Sequence, residues 1–284
     1  MKHCTLIDNE TGEMIDENFR IDELEDQERK RKMTEKRKSN DEFKVFIDEN
    51  LGNFYFLFYK LIKKGIERQY IIRFLYLCTY MDYENKLLFG NGLEENKYMR
   101  EKDLQEVLRL SKREVTRTKK CLIENQFIII NKNKTIQVNE KYCLKGKIPN
   151  NKKKSQKVRI FESGLKELYE KAKPREHKKL SLLIELLPYI NLKFNIICEN
   201  PQCEKMEEVK PMNLTKITKL LNFSTSQKLK AGLSNISIQD EKAIGMFTIG
   251  NKSMILINPK IYYKGTKIED IQYLLNLFKL YKNM

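Results

Sequence analysis

Between Lys112 and Asn125, Arg113, Thr116, Arg117 and Lys120 recur at the spacing of one helix face, and Val115, Thr118 and Leu122 mark the opposite one. Guanidinium, ammonium and hydroxyl groups held in a row donate hydrogen bonds to phosphate oxygens and to base edges in a duplex groove. Ser111 and Lys112 open the stretch; Ser111 is expected as the N-cap, with Glu114 completing a capping box. A second, less cationic set follows at Thr225, Ser226, Gln227, Lys228 and Lys230, with Leu229, Leu233 and Ile236 as its apolar side and Ser224 and Gln227 at capping-box spacing. Lys132, Lys134 and Lys252 fall in two expected hairpin turns, where they would meet phosphate without reading sequence. The plain alternatives are solvated helix faces, more so for the second set, and ordinary hairpin turns.

Other chemistries lack their residues. His3 and His177 are the only histidines, so no His-x-His pair and no Ser-His-Asp or Cys-His set can be assembled. Cys198 and Cys203 form one pair where structural zinc takes four ligands. The phosphate-loop ending in Gly-Lys-Ser/Thr is missing. Most of the 14 tyrosines sit on apolar faces and read as core. No catalytic centre, metal or cofactor is expected.

The elements that would position the two sets are written twice. Residues 136–146 and 255–265 share Ile136/Ile255, Val138/Ile257, Asn139/Asn258, Lys141/Lys260, Lys145/Lys264 and Gly146/Gly265. Upstream, Tyr80-Met81-Asp82 matches Tyr189-Ile190-Asn191, and Leu104, Leu108, Leu110 and Ser111 match Ile217, Leu221, Phe223 and Ser224. A period of roughly 110 residues is a domain duplication rather than a solenoid repeat. In the first copy, a short helix at 101–108, a turn at 109–111, a helix at 112–125 and a ribbon of 127–130 and 135–138 make a helix-turn-helix followed by a wing. The second copy repeats the order through Leu214 to Leu221, Gln227 to Ile236, Gly245 to Ile249 and Met254 to Ile257. The fold class expected is α+β, mainly α, with two tandem winged-helix domains.

The expected boundaries are a charged segment at 1–46, winged-helix domains at 47–148 and 160–284, and a basic linker at 149–159 that does not fold alone. In the first segment, 5–15 suits a small hairpin turning at Gly12, and the acidic-then-basic run to Lys38 suits partial disorder or a lone charged helix. That run is either a basic arm or a solvated tail. Phe54, Tyr55, Phe58, Leu61 and Ile62, and again Ile71, Leu75 and Cys78, suggest two amphipathic helices separated by Gly65. A final helix from Lys267 to Tyr281 places Ile271, Leu274, Leu275 and Phe278 along one side, to pack on its own repeat or on another subunit.

A chain of 284 residues with 40% hydrophobic content has room for about two domains. A net charge of +16 favours a polyanionic partner, nucleic acid before an anionic membrane, although an AT-rich coding sequence would also enrich lysine. No signal peptide and no apolar run of membrane-spanning length is visible. A cytoplasmic location with reduced cysteines is therefore expected.

Tyr80 to Asn85 after an apolar helix, the helix-turn-helix, the wing and the Asn258-Pro259 to Lys264-Gly265 motif together resemble the winged-helix replication proteins of Firmicute plasmids and phages. The opening Asp8-Asn9-Glu10-Thr11-Gly12-Glu13 is similar to their N-termini. The first copy departs from the motif, with Glu140 in place of the proline, and the duplication is not that unit's usual arrangement. The tandem pair also resembles plasmid initiators that bind repeated origin sites. That resemblance implies a sequence-specific double-stranded DNA-binding protein that recruits host replication proteins, with one copy helping a homodimer form. A transcriptional regulator, a partition or conjugation accessory protein, and a winged-helix protein–protein module are the alternatives.

Overall fold

The computed structural model describes residues 3–62, 65–89, 97–191, 193–249 and 252–281, without the side chains of 3, 4, 16–24, 248, 249, 252 and 253. Its contacts divide into two units, Met1–Glu49 and Asn50–Met284. In the first, β1 (His3–Ile7) and β2 (Met14–Arg20) form the expected hairpin. Gly12 takes a φ of 72°, and the Asp8 carboxylate accepts from the backbone N–H of Glu10 at 2.7 Å. That bond holds the Asp8 carboxyl below its usual range. α1 (Ile21–Asn50) realises the charged-helix alternative. Ion pairs such as Arg31–Glu35 at 3.0 Å join adjacent turns, each worth about 0.2–0.5 kcal/mol.

The second unit is α+β. Its first copy runs β3 (Phe54–Phe58), α2 (Arg68–Cys78), β4 (Leu88–Phe89), β5 (Lys97–Tyr98), α3 (Leu104–Leu108), α4 (Lys112–Glu124), β6 (Ile128–Ile130), β7 (Ile136–Val138) and β8 (Cys143–Leu144). The second runs β9 (Lys157–Phe161), α5 (Glu162–Lys171), α6 (His177–Glu185), α7 (Leu214–Leu220), α8 (Ser226–Ser234), β10 (Ser237–Ile238), β11 (Glu241–Lys242), β12 (Ile244–Ile249), β13 (Lys252–Ile257), β14 (Tyr262–Tyr263) and α9 (Ile268–Tyr281).

Several hydrogen bonds recur in the two halves of this unit, although their element orders differ. The Val138 N–H donates to Asn85 O at 2.8 Å, and the Ile257 N–H to Asn195 O at 3.1 Å. Leu87 donates to Ile136 O and Ile197 to Ile255 O, both at 2.9 Å. Asn85 and Asn195 both sit at positive φ, 59° and 49°, which asparagine tolerates. The twice-written Asn139 and Asn258 are corners: each Oδ1 accepts from the N–H two residues on, Lys141 or Lys260, at 3.0 Å. Each Nδ2 reaches back to a carbonyl that precedes the wing, on Gln126 or Lys242. The most legible sequence motif is thus scaffold that closes the wing, not a binding site.

Three expectations are corrected. Residues 54–58 are a strand, not a helix. Five consecutive apolar residues satisfy any period, and their aromatic bulk suits a pleated strand, here with Tyr55 and Leu57 buried and Phe54 and Phe56 half-buried. Across the boundary between the expected linker (149–159) and the second domain, 157–161 are the strand β9, whose signal was the alternation of Lys157 and Arg159 with Val158 and Ile160. Finally, the copies are not separate domains: residues 50–284 cluster as one unit. The sheet order β14-β9-β3-β8 draws two strands from each copy. Antiparallel pairing of Phe54 with Phe161 and Phe58 with Lys157 places a local pseudo-twofold axis at the Phe56–Arg159 pair. Tyr55, Leu57, Val158 and Ile160 turn one face of this sheet into the core.

α9 packs on its own repeat rather than needing another subunit. Ile271, Leu274, Leu275 and Phe278 are buried, and Phe247 of β12 meets Phe278 and Tyr281 at ring-centroid distances of 6.0 and 4.7 Å.

Candidate nucleic-acid interface

α4 divides as its spacing requires. Val115, Thr118 and Leu122 are buried, whereas Ser111, Lys112, Arg113, Thr116, Arg117 and Lys120 are exposed. α3 ends on Arg109 in the left-handed conformation, φ 51°, which turns the chain into the α4 N-terminus. Ser111 Oγ accepts from the Glu114 N–H at 3.4 Å, so the N-cap is as expected. The reciprocal half of the capping box is replaced. The Glu114 carboxylate instead takes Arg73 at 3.0 Å and Arg117 at 3.2 Å, and these bonds, Arg73 first, hold its carboxyl below the usual range.

Arg73, which the sequence reading passed over, fixes the underside of α4. It is 2% exposed. Its Nη1 donates to Glu114 and to Thr118 Oγ1 at 2.9 Å, and its Nε donates to His177 Nδ1 at 3.3 Å. Nδ1 is therefore an acceptor and the imidazole neutral; burial, then Arg73, push the His177 pKa down to about 4. One buried guanidinium thus ties α2, α4 and α6 together. The available signal was a lone arginine within the apolar stretch Ile71–Cys78.

On the outer face, Arg117 pairs with Glu114 and Lys120 with Glu124, at 3.2 and 3.8 Å. Exposed pairs of this kind are worth about 0–1 kcal/mol, so an anionic ligand can displace them. Among the described residues, no carboxylate forms an ion pair with Arg113 or Lys112.

The β6–β7 ribbon, the expected first wing, places Lys132 and Lys134 exposed at its tip, Lys134 at φ 65°. Asn133 Oδ1 braces the turn by accepting from Thr135 Oγ1 at 2.7 Å. Bridges from Lys86 to Gln137 and from Arg100 to Thr135 lay the segments before β4 and after β5 along this ribbon. The Lys86 ammonium stands 5.3 Å from the Tyr98 ring centroid, a cation beside the wing that its isolated position in the sequence did not reveal.

The second copy presents less charge. Gln227, Lys228 and Lys230 are exposed on α8, with Leu229 and Leu233 buried. The N-cap is Thr225, whose Oγ1 accepts from the Lys228 N–H at 3.3 Å; Ser224 does not cap, because this turn is two residues longer than the first. Ser226 is half-buried and its Oγ accepts from Thr218 Oγ1 at 3.1 Å, so its hydroxyl braces α8 against α7. The second wing is longer, pairing six residues per strand. Its tip, Gly250 and Asn251, and the Lys252 side chain lie outside the described residues.

Among the described residues no group of three or more His, Cys, Asp or Glu can hold a metal ion, and no helix is long and apolar enough to cross a membrane. Burial pushes the Cys198 thiol up to about 11. No family model matches the chain, and neither a curated relative nor a solved structure does.

Proposed function

We propose that the chain is a non-enzymatic, sequence-specific double-stranded DNA-binding protein built from two winged-helix copies. Its task is to initiate replication of a plasmid or related mobile element by binding origin repeats. One observation carries this reading: α4 buries Val115, Thr118 and Leu122 and exposes Arg113, Thr116, Arg117 and Lys120 along one face. An α-helix fits the major groove, and these side chains donate to base edges and phosphates there. Lys132 and Lys134 then meet phosphate at the first wing. α8 adds a second, weaker contact through Gln227, Lys228 and Lys230.

The test is a mobility-shift titration with duplexes selected from a random pool, run at rising salt. A selected duplex should bind, and its affinity should fall steeply with salt, because release of the counterions displaced from the phosphates is worth less at high salt. Failure to retain any duplex at low salt would leave the protein–protein module. Replication is tested separately in a host carrying the element: deletion should lower copy number, whereas altered transcripts at normal copy number would indicate a regulator.

A further inference from the structure

The helix pairs α3–α4 and α7–α8 bend at equivalent residues. Leu108 closes α3 and Leu221 follows α7; both are buried, and the next residue is left-handed in each case, Arg109 at φ 51° and Asn222 at φ 55°. A helix end leaves carbonyls with no partner inside its own helix. At both bends such a carbonyl is taken by a side chain from the other half of the unit.

At the first bend the donor comes from α5. The Tyr169 hydroxyl donates to Leu108 O at 2.9 Å. Its ring stacks on Tyr76 and on His177, at centroid distances of 3.8 and 4.4 Å, which fixes where the hydroxyl points. The next residue, Glu170, pairs with Arg109 at 3.6 Å and accepts from the Tyr76 hydroxyl at 2.9 Å. At the second bend the donor comes from α2. Arg68 holds Glu185 of α6 through Nε at 2.8 Å and Nη2 at 3.0 Å, and Nη2 also donates to Leu221 O at 2.9 Å. Its guanidinium stands 6.0 Å from the ring centroid of Phe223, one residue past Asn222. The contacts therefore cross: α5 of the second half holds the first bend, and α2 of the first half holds the second.

We propose that each half of the unit positions the other's exposed helix, with Tyr169 setting how α4 leaves its bend and Arg68 setting how α8 leaves its own. Only three residues separate Leu108 from Lys112, and four separate Leu221 from Ser226, so a fixed carbonyl at the bend passes its position on to the helix. Burial pushes the Tyr169 phenol up, so the hydroxyl keeps the proton it donates. For base recognition the consequence rests on the DNA-binding reading above. Hydrogen bonds to base edges hold over only about 0.5 Å, whereas a lysine's flexible stem lets it follow a phosphate. A displaced α4 therefore loses sequence discrimination before it loses phosphate contact.

Hydrogen exchange of the full chain tests the crossing without DNA. Tyr169→Phe keeps the ring stacks and deletes the donor; Arg68→Lys keeps a cation beside Glu185 and deletes the fork that also reaches Leu221 O. Tyr169→Phe should speed exchange across 104–116 by roughly two- to tenfold, the scale of one buried hydrogen bond, and leave 214–230 at the parent's rate. Arg68→Lys should do the reverse. Acceleration in both helix pairs alike, or in neither, would overturn the proposal. Duplex selection reads the consequence. Tyr169→Phe should relax the base positions that Arg113→Ala relaxes, and the double variant should lose less than the product of the two separate losses. A loss spread evenly over all sequences and independent of Arg113→Ala would overturn the positioning of α4. Glu170→Gln, an exposed change that releases Arg109, should give the same pattern more weakly and stands in where Tyr169→Phe does not fold. A crossed exchange pattern in a parent that retains no duplex would keep the positioning and remove the DNA-binding reading.

Discussion

The two copies share a hydrogen-bond skeleton and differ in what they hang on it. The first has a 13-residue α4 with a cationic outer face and a short wing of three-residue strands. The second has a nine-residue α8 that contains Gly232, an added β10–β11 hairpin, and a long β12–β13 ribbon backed by α9. The corners at Asn85, Asn139, Asn195 and Asn258 set the path of the backbone and stay the same. Exposed faces carry no such constraint, so they are free to diverge. In the reading proposed above, α4 reads the duplex and the second copy acts more as a brace.

The largest expected effect tests the shared skeleton. Asn195 is buried at positive φ, and its Nδ2 donates to Ile257 O at 3.2 Å and Tyr262 O at 3.0 Å. Asn195→Ala leaves both acceptors unmet and removes the side-chain amide that makes asparagine tolerant of the left-handed region, a loss of roughly 2–4 kcal/mol. Asn85→Ala should be of similar size, because Nδ2 and Oδ1 each lose a bond, to Cys143 O and from the Lys145 N–H. Urea denaturation measures both; a small effect at one site alone would break the equivalence of the copies.

Next in size is the response to acid at the junction of α2, α4 and α6. The folded pKa of His177 is about 4 against an ordinary 6.5, so between these values the unfolded chain binds more protons. Stability from this group is complete above pH 6.5 and is lost as pH falls towards 4, by roughly 2–3 kcal/mol. Burial raises the Glu162 and Glu185 carboxyls, which gives an opposite and partly offsetting slope at the acid end. His177→Gln keeps an acceptor for Arg73 and cannot titrate. The parent should therefore lose more stability than this variant between pH 7 and 4.5; parallel losses would remove His177 as the cause.

The smallest effect sharpens the difference between the faces. Arg113→Ala should weaken binding of a selected duplex by about 1–3 kcal/mol and relax one base position. Lys230→Ala should cost less than about 1 kcal/mol and act equally on all sequences, as a phosphate contact does. Equal losses from both would make the two helices alike in function.

Some of this was legible because it is local. The helix at 112–124, its Ser111 cap, the buried side through Val115, Thr118 and Leu122, the wing strands and the corner motif all rest on residues a few positions apart. The strand at 54–58 was hidden, because a continuous apolar run carries no period. The strand at 157–161 showed its alternation but was masked by a lysine-rich context.

The sequence by itself determined the α4 face, the repeated Asn-centred motif and the positive charge, since spacing and composition depend only on neighbours along the chain. Tertiary structure alone decided that β3 pairs with β9 and fuses the copies in one sheet. It alone brought Arg73 to His177 and Glu114, and Lys145 to Glu162. Those partners are far apart in the chain, and no local pattern encodes which distant groups share a desolvated space.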